Sequence, residues 1–382
     1  MTLMTLGLVQ QACCGSLPST EFSWLRQFGP ADDTSARGVA ANARGDVFVS
    51  STTNNQGSQK DIALSKYDSS GTLQWNIAAV TNTSDANNGI AADGLGNSYI
   101  ASTTDLSLNG PNSGQEDAFV RKYDSAGDVV WTRQVGGMDR DFGTASAVND
   151  RGDVFLTGYT TSDLVGTKHV GWDGFLAKYD TSGAQQWVRQ FGSDLDDYGT
   201  GIAADNFGNV FVVGTTDGSF GGTNLFLGRE DVFVAKYDAS GTEVWTRQFG
   251  TSGIDFAENL TLDTQGNVYI TGTTTGKLGE DVFGGEDGFI GRLDAEGNVI
   301  WLRQFGTSKN ENPIGIAYDG MGHVYVAGRT LGSFAGPNQG NYDAFIATFD
   351  SNGMLCELTS GSRLWKNGSR NSRTTLPWRP CF

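Results

Sequence analysis

The sequence predicts an all-β protein built from six repeated units of four short antiparallel strands. Three observations lead to this fold class. Fifty-four glycines against seven prolines, with many valine, threonine and aromatic residues, are typical of short strands joined by tight turns. Tryptophan recurs at a spacing of slightly more than fifty residues, which indicates a repeat architecture. No stretch of the chain has the apolar periodicity of an amphipathic helix.

Three recurring positions define the repeat. The first is a tryptophan, at Trp24, Trp75, Trp131, Trp187, Trp245 and Trp301. The second is an aspartate near the start of the third strand, at Asp61, Asp117, Asp173, Asp231, Asp287 and Asp343. The third is a D-x-x-G turn, whose glycine is free to adopt a positive φ angle. We assign the tryptophans and the aspartates a structural role, because they recur around the whole chain rather than at one point.

The fifth unit shows the four predicted strands, a to d, most clearly. Strand a is ENLTLD (residues 258–263), strand b NVYITGTT (267–274), strand c DGFIGRLD (287–294) and strand d NVIWLRQFG (298–306). Strand b carries bulky side chains on both of its faces, as expected of a sheet that lies between two neighbouring sheets. Turns with Asp and Gly join a to b and c to d.

Four-stranded antiparallel units of this size that stack around an axis form a β-propeller. The sequence resembles the seven-bladed β-propeller repeat family of bacterial proteins, through the motifs WTRQFG, D-x-x-GN-x-Y-x-TGTT and DAF-x-AKYD-x-x-G. The resemblance covers residues 21–353, and it implies a fold far more than an activity.

The number of blades follows from the a–b–c sets, of which there are six. Where the tryptophan of the sixth unit is expected, the sequence has Glu357. The motif EFSWLRQFG at 21–29 precedes the first strand a, so we predict that it supplies strand d of the last blade. Such a ring of six would have no exposed sheet edge between its ends. Seven blades are the alternative, if the chain is part of a longer array.

The two ends lie outside the predicted propeller domain, residues 21–353. We expect residues 1–20 to be an N-terminal segment, with the composition of a weak signal peptide, that can be disordered. Residues 354–382 are basic and rich in Ser and Asn, so we expect a disordered tail. From the family resemblance we expect a secreted or cell-surface location.

The charge of the chain limits its partners. The formal net charge is −17, which makes nucleic acid a poor partner. No apolar run approaches the roughly 20 residues that span a bilayer, so we expect no membrane insertion.

The b–c loops differ most between units, and this pattern leads to the functional prediction. In a propeller blade the b–c and d–a loops emerge on one face, and the a–b and c–d turns on the other. Variable loops on a rigid scaffold commonly carry binding sites. We therefore predict a non-enzymatic scaffold or binding module that binds a protein or a glycan on the face of the b–c and d–a loops. The alternative is a carboxylate-dependent lyase or glycosidase with its site at the central channel.

The longest b–c loop, residues 217–230, is the candidate ligand-binding segment. Its candidate contact residues are Phe220, Leu225, Phe226, Leu227, Arg229 and Glu230. Apolar side chains in a glycine-rich loop indicate either a contact patch or a plug over the channel.

Two rings of acidic residues are expected on the same face. One is the aspartate set of the c strands, and the other lies in the d–a loops, at Asp85, Asp141, Asp197, Asp255 and Glu311. Such carboxylates either bind calcium or accept hydrogen bonds from backbone N–H groups. Because no DxDxDG spacing occurs, we favour the structural role and expect no cofactor. The weak candidates for a calcium site are Asp197, Asp231, Asp255 and Asp287.

No catalytic residue is predicted. The sequence has no GxSxG, HExxH or P-loop motif. His169 lies in a variable loop, and His323 replaces the Asn of a DxxGN turn. The pair Asp196 and Asp197 has residue types that serve glycoside hydrolysis, but every unit offers similar acids.

Overall fold

The structure, a computed structural model, describes residues 34–55, 59–77, 89–108, 114–220, 229–279, 282–334, 337–338 and 340–360. These residues form six four-stranded antiparallel sheets and no helix, so the predicted fold class and the predicted count of six blades are confirmed. In particular, no helix in these ranges could span a membrane.

The six sheets, which we call blades 1 to 6, follow one another around a ring. Blades 1 to 3 comprise β1 (Thr34–Ala41), β2 (Val47–Asn55), β3 (Gln59–Tyr67), β4 (Leu73–Ile77); β5 (Gly89–Ala92), β6 (Ser98–Thr104), β7 (Asp117–Tyr123), β8 (Val129–Val135); β9 (Asp141–Val148), β10 (Val154–Thr160), β11 (Asp173–Tyr179) and β12 (Gln185–Phe191). Blades 4 to 6 comprise β13 (Asp197–Ala204), β14 (Val210–Thr216), β15 (Asp231–Tyr237), β16 (Glu243–Phe249); β17 (Asp255–Leu262), β18 (Val268–Thr274), β19 (Asp287–Leu293), β20 (Val299–Phe305); β21 (Glu311–Tyr318), β22 (His323–Thr330), β23 (Asp343–Asp350) and β24 (Leu355–Ser360).

The strands of blade 5 match the predicted strands except at the start of strand a. The prediction began at Glu258, whereas β17 begins at Asp255. A β-bulge interrupts the pairing with β18 between Ala257 and Asn259, so that Glu258 is the extra residue. The bulge interrupts the alternation of side chains between the two faces of the sheet. The period-two pattern therefore did not include the first three residues of the strand.

The core consists of apolar layers between adjacent blades. Tyr99 and Trp131 of blade 2, for example, pack against Leu156 and Tyr179 of blade 3. Equivalent clusters join the other consecutive pairs of blades along the chain. Because each sheet is covered on both faces, all seven residues of β14 and of β18 are buried. This rigid stack holds the loops at fixed positions.

The recurring tryptophan joins each blade to the next. Its indole N–H donates to a carbonyl in the c–d turn of the following blade, in the pairs Trp75–Ser125, Trp131–Thr181, Trp187–Ala239, Trp245–Ala295 and Trp301–Ser351, at 3.0–3.2 Å. The turn glycine lies against the indole ring: a Cβ on Gly297 would be 2.7 Å from Trp245. The structural role predicted for these tryptophans thus has a defined geometry. Trp24 lies outside the described residues.

The arginine two residues after the tryptophan adds to the same contact. The guanidinium of Arg189 lies 5.4 Å from the ring centroid of Trp187 and donates to the carbonyls of Ser240 and Gly241 in blade 4. Arg133 makes the equivalent contacts with Trp131 and with Gly183 of blade 3. The W-x-R-Q-F motif is therefore a device for joining blades.

The last blade corrects the prediction about ring closure. Its fourth strand is β24, which pairs with β23 through the register Phe345↔Ser360 and Thr348↔Glu357. The assignment of residues 21–29 to this position is therefore wrong, and the propeller extends through Ser360 rather than ending at residue 353. Residues 21–29 themselves lie outside the described residues. Pairing of strands rests on backbone hydrogen bonds, so the absence of the motif's tryptophan did not imply the absence of the strand.

The inner strand of blade 1 is less covered than its equivalents. Val39 of β1 is 70% exposed, whereas Ile202 of β13 and Leu260 of β17, at the same position of the repeat, are 7% and 4% exposed. Within the described part of the chain, the sheet face of blade 1 that carries Val39 is therefore less buried than the equivalent faces of blades 4 and 5.

Candidate functional site

The face that carries the b–c and d–a loops is where the six repeats differ in chemistry. The residue before the third strand is Glu116, Trp172, Glu230, Glu286 or Tyr342 in blades 2 to 6. The residue before the first strand is Arg140, Asp196, Ile254 or Asn310 in blades 3 to 6. By contrast, the D-x-x-G turns on the opposite face are nearly alike. A ligand can therefore distinguish one blade from another on this face.

Blades 3 and 4 place four aromatic side chains together on this face. We call Phe142, Tyr159, Trp172 and Tyr198 the aromatic patch. Tyr159 is its centre: its ring centroid lies 5.2 Å from Phe142, 5.2 Å from Trp172 and 5.0 Å from Tyr198. All four side chains are partly exposed. Aromatic rings that are partly exposed on a rigid frame are typical anchors of binding interfaces.

The aromatic patch is built by the ends of three strands and one loop. Tyr159 is near the end of β10, and Phe142 lies beside it on β9 in register. Trp172 is held by its backbone N–H, which donates to Asp196 Oδ1 at 3.0 Å, and by its carbonyl, which accepts from the N–H of Asp197 at 2.7 Å. Gly171, at φ +93, allows the close approach of Asp196. The loop before β11 is thereby fixed against the start of β13.

Three acidic side chains flank the aromatic patch. Asp196 accepts a hydrogen bond from the hydroxyl of Tyr198 at 3.2 Å. Its carbonyl accepts the backbone N–H of Asp217 at 2.8 Å, which fixes the start of the following loop. Glu230 precedes β15 on the same face. Neither Asp217 Oδ1 nor Glu230 Oε2 has a hydrogen-bond partner among the described residues, although both atoms are buried.

Two of these acids, Asp217 and Glu230, have raised pKa values. Burial, followed by the charge of Asp196, raises the pKa of Asp217, and Arg229 opposes this rise. Burial, followed by the charge of Asp217, raises the pKa of Glu230. The pKa of Tyr198 is raised by burial and by Asp196, so its hydroxyl stays protonated and donates. This part of the face is therefore a region of negative charge that the described cations neutralise only in part.

The predicted loop residues occupy different environments. Phe220 lies in the core rather than in an exposed patch: it is 7% exposed, stacks on Phe233 at 4.7 Å, and donates its N–H to Gln248 Oε1. Arg229 is exposed and Glu230 partly exposed, and both lie near Asp217. Leu225, Phe226 and Leu227 lie outside the described residues.

Sequence reasoning missed the aromatic patch, and it noted Asp196 only as the neighbour of Asp197. The patch residues come from strands and loops that are far apart in the repeat, and no two of them share a motif. One signal was available, namely the comparison of equivalent positions across the six units. It shows Trp172 where three other units have glutamate, and Tyr159 where four have threonine.

The aspartates of the c strands in blades 2 to 5 are buried and accept hydrogen bonds. In blades 2 to 5 the carboxylate accepts a hydrogen bond from the glutamine of the RQ motif, in the pairs Gln134–Asp117, Gln190–Asp173, Gln248–Asp231 and Gln304–Asp287, at 2.6–2.8 Å. The same glutamine bridges to the b–c loop: Gln304 accepts from Leu278 N–H and donates to the carbonyl of Gly276. The aspartate and the glutamine together fix where each b–c loop starts. The side chain of Asp61 lies outside the described part of the structure, and Asp343 is less buried than the others.

The acids of the d–a loops are fixed in the same way. Asp197 accepts bonds from the N–H and the hydroxyl of Ser193, and Asp255 accepts the corresponding bonds from Thr251. Burial raises the pKa of Asp197 to about 6, and the neighbouring charge of Asp173 contributes. Asp85 lies outside the described residues. Within the described ranges, no three His, Cys, Asp or Glu residues are grouped so that they could hold a metal ion.

One prediction tests the structural role of these acids against calcium binding. Replacing Asp287 by Ala removes the acceptor of the bonds from Gln304 and from the N–H of Phe283. We expect a loss of about 1–3 kcal/mol in the free energy of unfolding, because buried donors are left unpaired. Asp128→Ala, at an exposed position on the opposite face, is the control and should cost less than about 0.5 kcal/mol. Neither calcium nor EDTA should move the melting temperature of the wild type; a shift with EDTA would indicate a bound metal.

Glu258 is a second group that sequence reasoning missed. As the bulge residue of β17 it replaces Thr144 and Thr200 of blades 3 and 4, whose hydroxyls donate to carbonyls of the next blade at 2.7 and 2.8 Å. Burial raises the pKa of Glu258 to about 7; Arg329 opposes the rise and Glu286 adds to it. A carboxyl group that titrates near neutrality occurs at no other described bulge.

Both histidines have structural partners. His323 Nδ1 lies 2.8 Å from Asp319 Oδ2, where the Asn of other DxxGN turns donates to the same aspartate, as Asn267 does to Asp263. His169 Nδ1 lies 3.2 Å from Asp173 Oδ1. Neither contact places a histidine in the aromatic patch.

The inner strands line an open pocket of the central channel at the end that leads into the a–b turns. Its volume is ≈ 310 Å³, and its walls include Ala91, Ser146, Ala147, Ile202, Thr261 and Leu262 from the inner strands of blades 2 to 5. No acidic or basic side chain lines it within the described part of the chain.

Comparison with known proteins agrees with this architecture. Residues 186–221 and 244–280 match the beta-propeller repeat family. These are beta-propeller repeats. Each match starts in a strand d and ends beyond the following strand b, so the family repeat spans the junction between two blades.

Two curated relatives share more of the sequence. The regulatory protein FlaEY of Caulobacter vibrioides is 28% identical over 336 residues, which cover 76% of this chain and 35% of that protein. An uncharacterized WD repeat-containing protein of Acanthamoeba polyphaga mimivirus is 23% identical over 268 residues, 55% of this chain and 18% of that protein. The chain therefore spans about a third or less of the length of these relatives.

Among solved structures, a mutant of the NanB sialidase from Streptococcus pneumoniae superimposes with a TM-score of 0.51. The alignment covers 82% of this chain and 68% of that chain at 10% identity. At this identity the similarity shows the fold alone.

Proposed function

We propose that this protein is a non-enzymatic binding module, and that its ligand is a protein bound on the face of the b–c and d–a loops. The observation that carries the proposal is the aromatic patch. It is partly exposed, it lies on the face where the repeats differ, and hydrogen bonds to Asp196 fix Trp172 and Tyr198 in place. An anchor that is rigid before binding loses little conformational entropy when a partner docks.

The surroundings of the patch fit a protein partner. Leu195 and Val170 are 51% and 74% exposed in loops next to it, and Met138 is 85% exposed in the d–a loop that precedes β9. Apolar side chains around an aromatic centre are typical of protein interfaces. The relative named as a WD repeat-containing protein supports the binding of a protein. A glycan is the other ligand class that stacks on aromatic rings, and the test below includes it.

The test is a binding screen with two arrays, one of peptides and one of glycans. Leu195→Asp and Trp172→Ala should weaken binding to any hit by at least about tenfold, since a central aromatic contact typically contributes more than 1 kcal/mol. The matched control is Phe207→Ala, which removes an aromatic ring that is 77% exposed on the opposite face. This control should bind as the wild type does. Loss of binding in the Phe207 variant alone would place the site on the other face.

An enzyme with a carboxylate site near the channel is the second candidate, and Glu258 is the observation that favours it. Its pKa of about 7 suits a proton donor at neutral pH, and Glu286 and Arg329 lie near it on the same face. A lyase or glycosidase would cleave polysaccharides in the wild type and lose that activity in Glu258→Gln. If neither the wild type nor Glu258→Gln cleaves a polysaccharide, the binding module remains the proposed function.

A further inference from the structure

We propose that the aromatic patch binds an arginine side chain in a basic segment of the partner protein, with the guanidinium between the rings and the acids Asp196, Asp217 and Glu230. This inference rests on the proposed function, because it names the chemistry of the ligand for the same site. Three observations lead to it: the geometry of the rings, the charge of their surroundings and the arrangement of the acids.

The rings offer faces to a planar cation. Tyr159 is nearly perpendicular to Trp172 and to Tyr198, with interplanar angles of 82° and 81°. Trp172 and Tyr198 are inclined to each other by 33° at a centroid distance of 6.5 Å. A guanidinium that stacks on the exposed part of either ring is stabilised by the negative face of the π system.

The acids lie close to the rings, since the charges of Asp196 and Asp217 both raise the pKa of Tyr198. Asp196 accepts from Trp172 and Tyr198, so it lies at the edge of the patch. Asp217 is tied to Asp196 by a backbone hydrogen bond, and its charge raises the pKa of Glu230. Asp217 Oδ1 and Glu230 Oε2 have no donor among the described residues. A cation bound beside these acids would relieve the repulsion between the carboxylates.

The cationic side chains near the patch do not already neutralise these acids. Arg229 is exposed and opposes the rise in the pKa values of Asp217 and Glu230 only in part. Arg140 pairs with Glu116 at 3.5 Å, and both side chains are well exposed. The whole chain carries a net charge of −17, which attracts a basic partner at long range.

An arginine fits this site better than a metal ion or a neutral sugar does. The acids are not grouped as a metal site within the described ranges, so a small ion would not be enclosed by ligands. A neutral sugar can stack on the rings but would leave the repulsion between the carboxylates in place. Lysine carries the charge but lacks the planar group that stacks and donates in two directions.

The experiment uses fluorescein-labelled peptides of alternating Gly and Arg, with Lys and citrulline versions as controls, and isothermal titration against the full chain. Citrulline keeps the planar shape of arginine and removes its charge. We expect the Arg peptide to bind, the citrulline peptide to bind at least about tenfold more weakly, and the Lys peptide to lie between them. Equal binding of the Arg and citrulline peptides, or no binding of the Arg peptide at millimolar concentration, would overturn the inference.

Two charge-matched double variants locate the site. Asp217→Asn with Glu230→Gln should weaken binding of the Arg peptide by at least about tenfold. Asp128→Asn with Glu296→Gln removes the same charge from exposed positions on the opposite face and should change binding by less than about twofold. The first double variant should melt no lower than the wild type at pH 7, because it removes carboxylates whose pKa values are raised.

The outcomes separate this inference from the proposed function. One outcome is that a neutral oligosaccharide or an acidic peptide binds the wild type, that Trp172→Ala weakens this binding, and that the Asp217–Glu230 variant does not. In that case the face binds ligands, but the inference of a cationic ligand is wrong. If the Arg peptide binds equally to wild type, Trp172→Ala and Leu195→Asp, its site is elsewhere, and both the inference and the proposed face fail.

Discussion

Gly297→Ala should lower the free energy of unfolding by about 2–4 kcal/mol, the sum of a left-handed backbone strain and a steric overlap. Gly297 has a φ of +82, and an added Cβ would lie 2.7–3.0 Å from three atoms of the Trp245 indole. The overlap is with a ring that hydrogen bonds and the neighbouring blade hold in place, so the ring cannot move away cheaply.

A double-mutant cycle separates the two contributions. In the background of Trp245→Ala, which should itself cost about 3–5 kcal/mol, the indole is absent. Gly297→Ala should then cost only the backbone strain, about 1–2 kcal/mol. Gly315→Ala is the control: its φ is not positive, no atom lies within 4 Å of the added Cβ, and urea unfolding should show little change. Full additivity of the two substitutions would show that the tryptophan does not restrict the turn.

Glu258→Gln should stabilise the protein at pH 8 by on the order of 2–3 kcal/mol and have little effect at pH 4. The pKa of Glu258 is raised from 4.5 to about 7 by burial in the folded state. The folded state therefore holds a proton that the unfolded state releases, and the stability this provides is lost as the pH rises from about 4.5 to about 7. Glutamine is neutral throughout and avoids this loss.

The measurement is urea unfolding of the wild type and the variant from pH 4 to pH 8. Glu296→Gln, at an exposed turn position, is the control and should show no pH-dependent difference from the wild type. A difference between Glu258→Gln and the wild type that is constant over this range would mean that Glu258 is not a buried, titrating group.

The architecture could be predicted because the same residues make the same contacts in successive blades. Among the described residues, five tryptophans each bind a c–d turn, the glycine of each of these turns lies against the indole ring, and blades 2 to 5 each pair the motif glutamine with an aspartate. Recurrence inside one chain therefore identified structural residues without knowledge of their partners. It did not identify the glutamine as the link between strand d and the b–c loop, since those contacts join residues 26 and 28 positions apart in sequence.

Two expectations failed for physical reasons. The fourth strand of the last blade lacks the tryptophan, yet β24 still pairs with β23, because the backbone of any suitable segment can complete a sheet. Phe220 was placed in an exposed loop because of the glycines that follow it. It instead packs between Phe191 and Phe233, since the glutamine of strand d captures its N–H and directs the side chain inward.

The candidate site could be predicted only as a face of the ring. Loop variability predicted the face of the b–c and d–a loops, and the predicted residues Arg229 and Glu230 lie near Asp217 on that face. The patch itself depends on the packing of blade 3 against blade 4, which brings Tyr159 within 5.0 Å of Tyr198. No local pattern encodes a contact between residues 39 positions apart on different strands; only the comparison of equivalent positions in the six repeats shows that these residues are unusual.

The most direct test of this account is hydrogen–deuterium exchange with the array hit of highest affinity bound to the full chain. The account predicts slower exchange on binding at residues 139–142, 170–173, 194–198 and 229–231, which surround the aromatic patch. The a–b and c–d turns of the same blades, such as residues 205–208 and 238–241, should exchange at the same rate with and without ligand. Protection of those turns, with no change around the patch, would contradict the claim that this protein binds its partner on the face where its repeats differ.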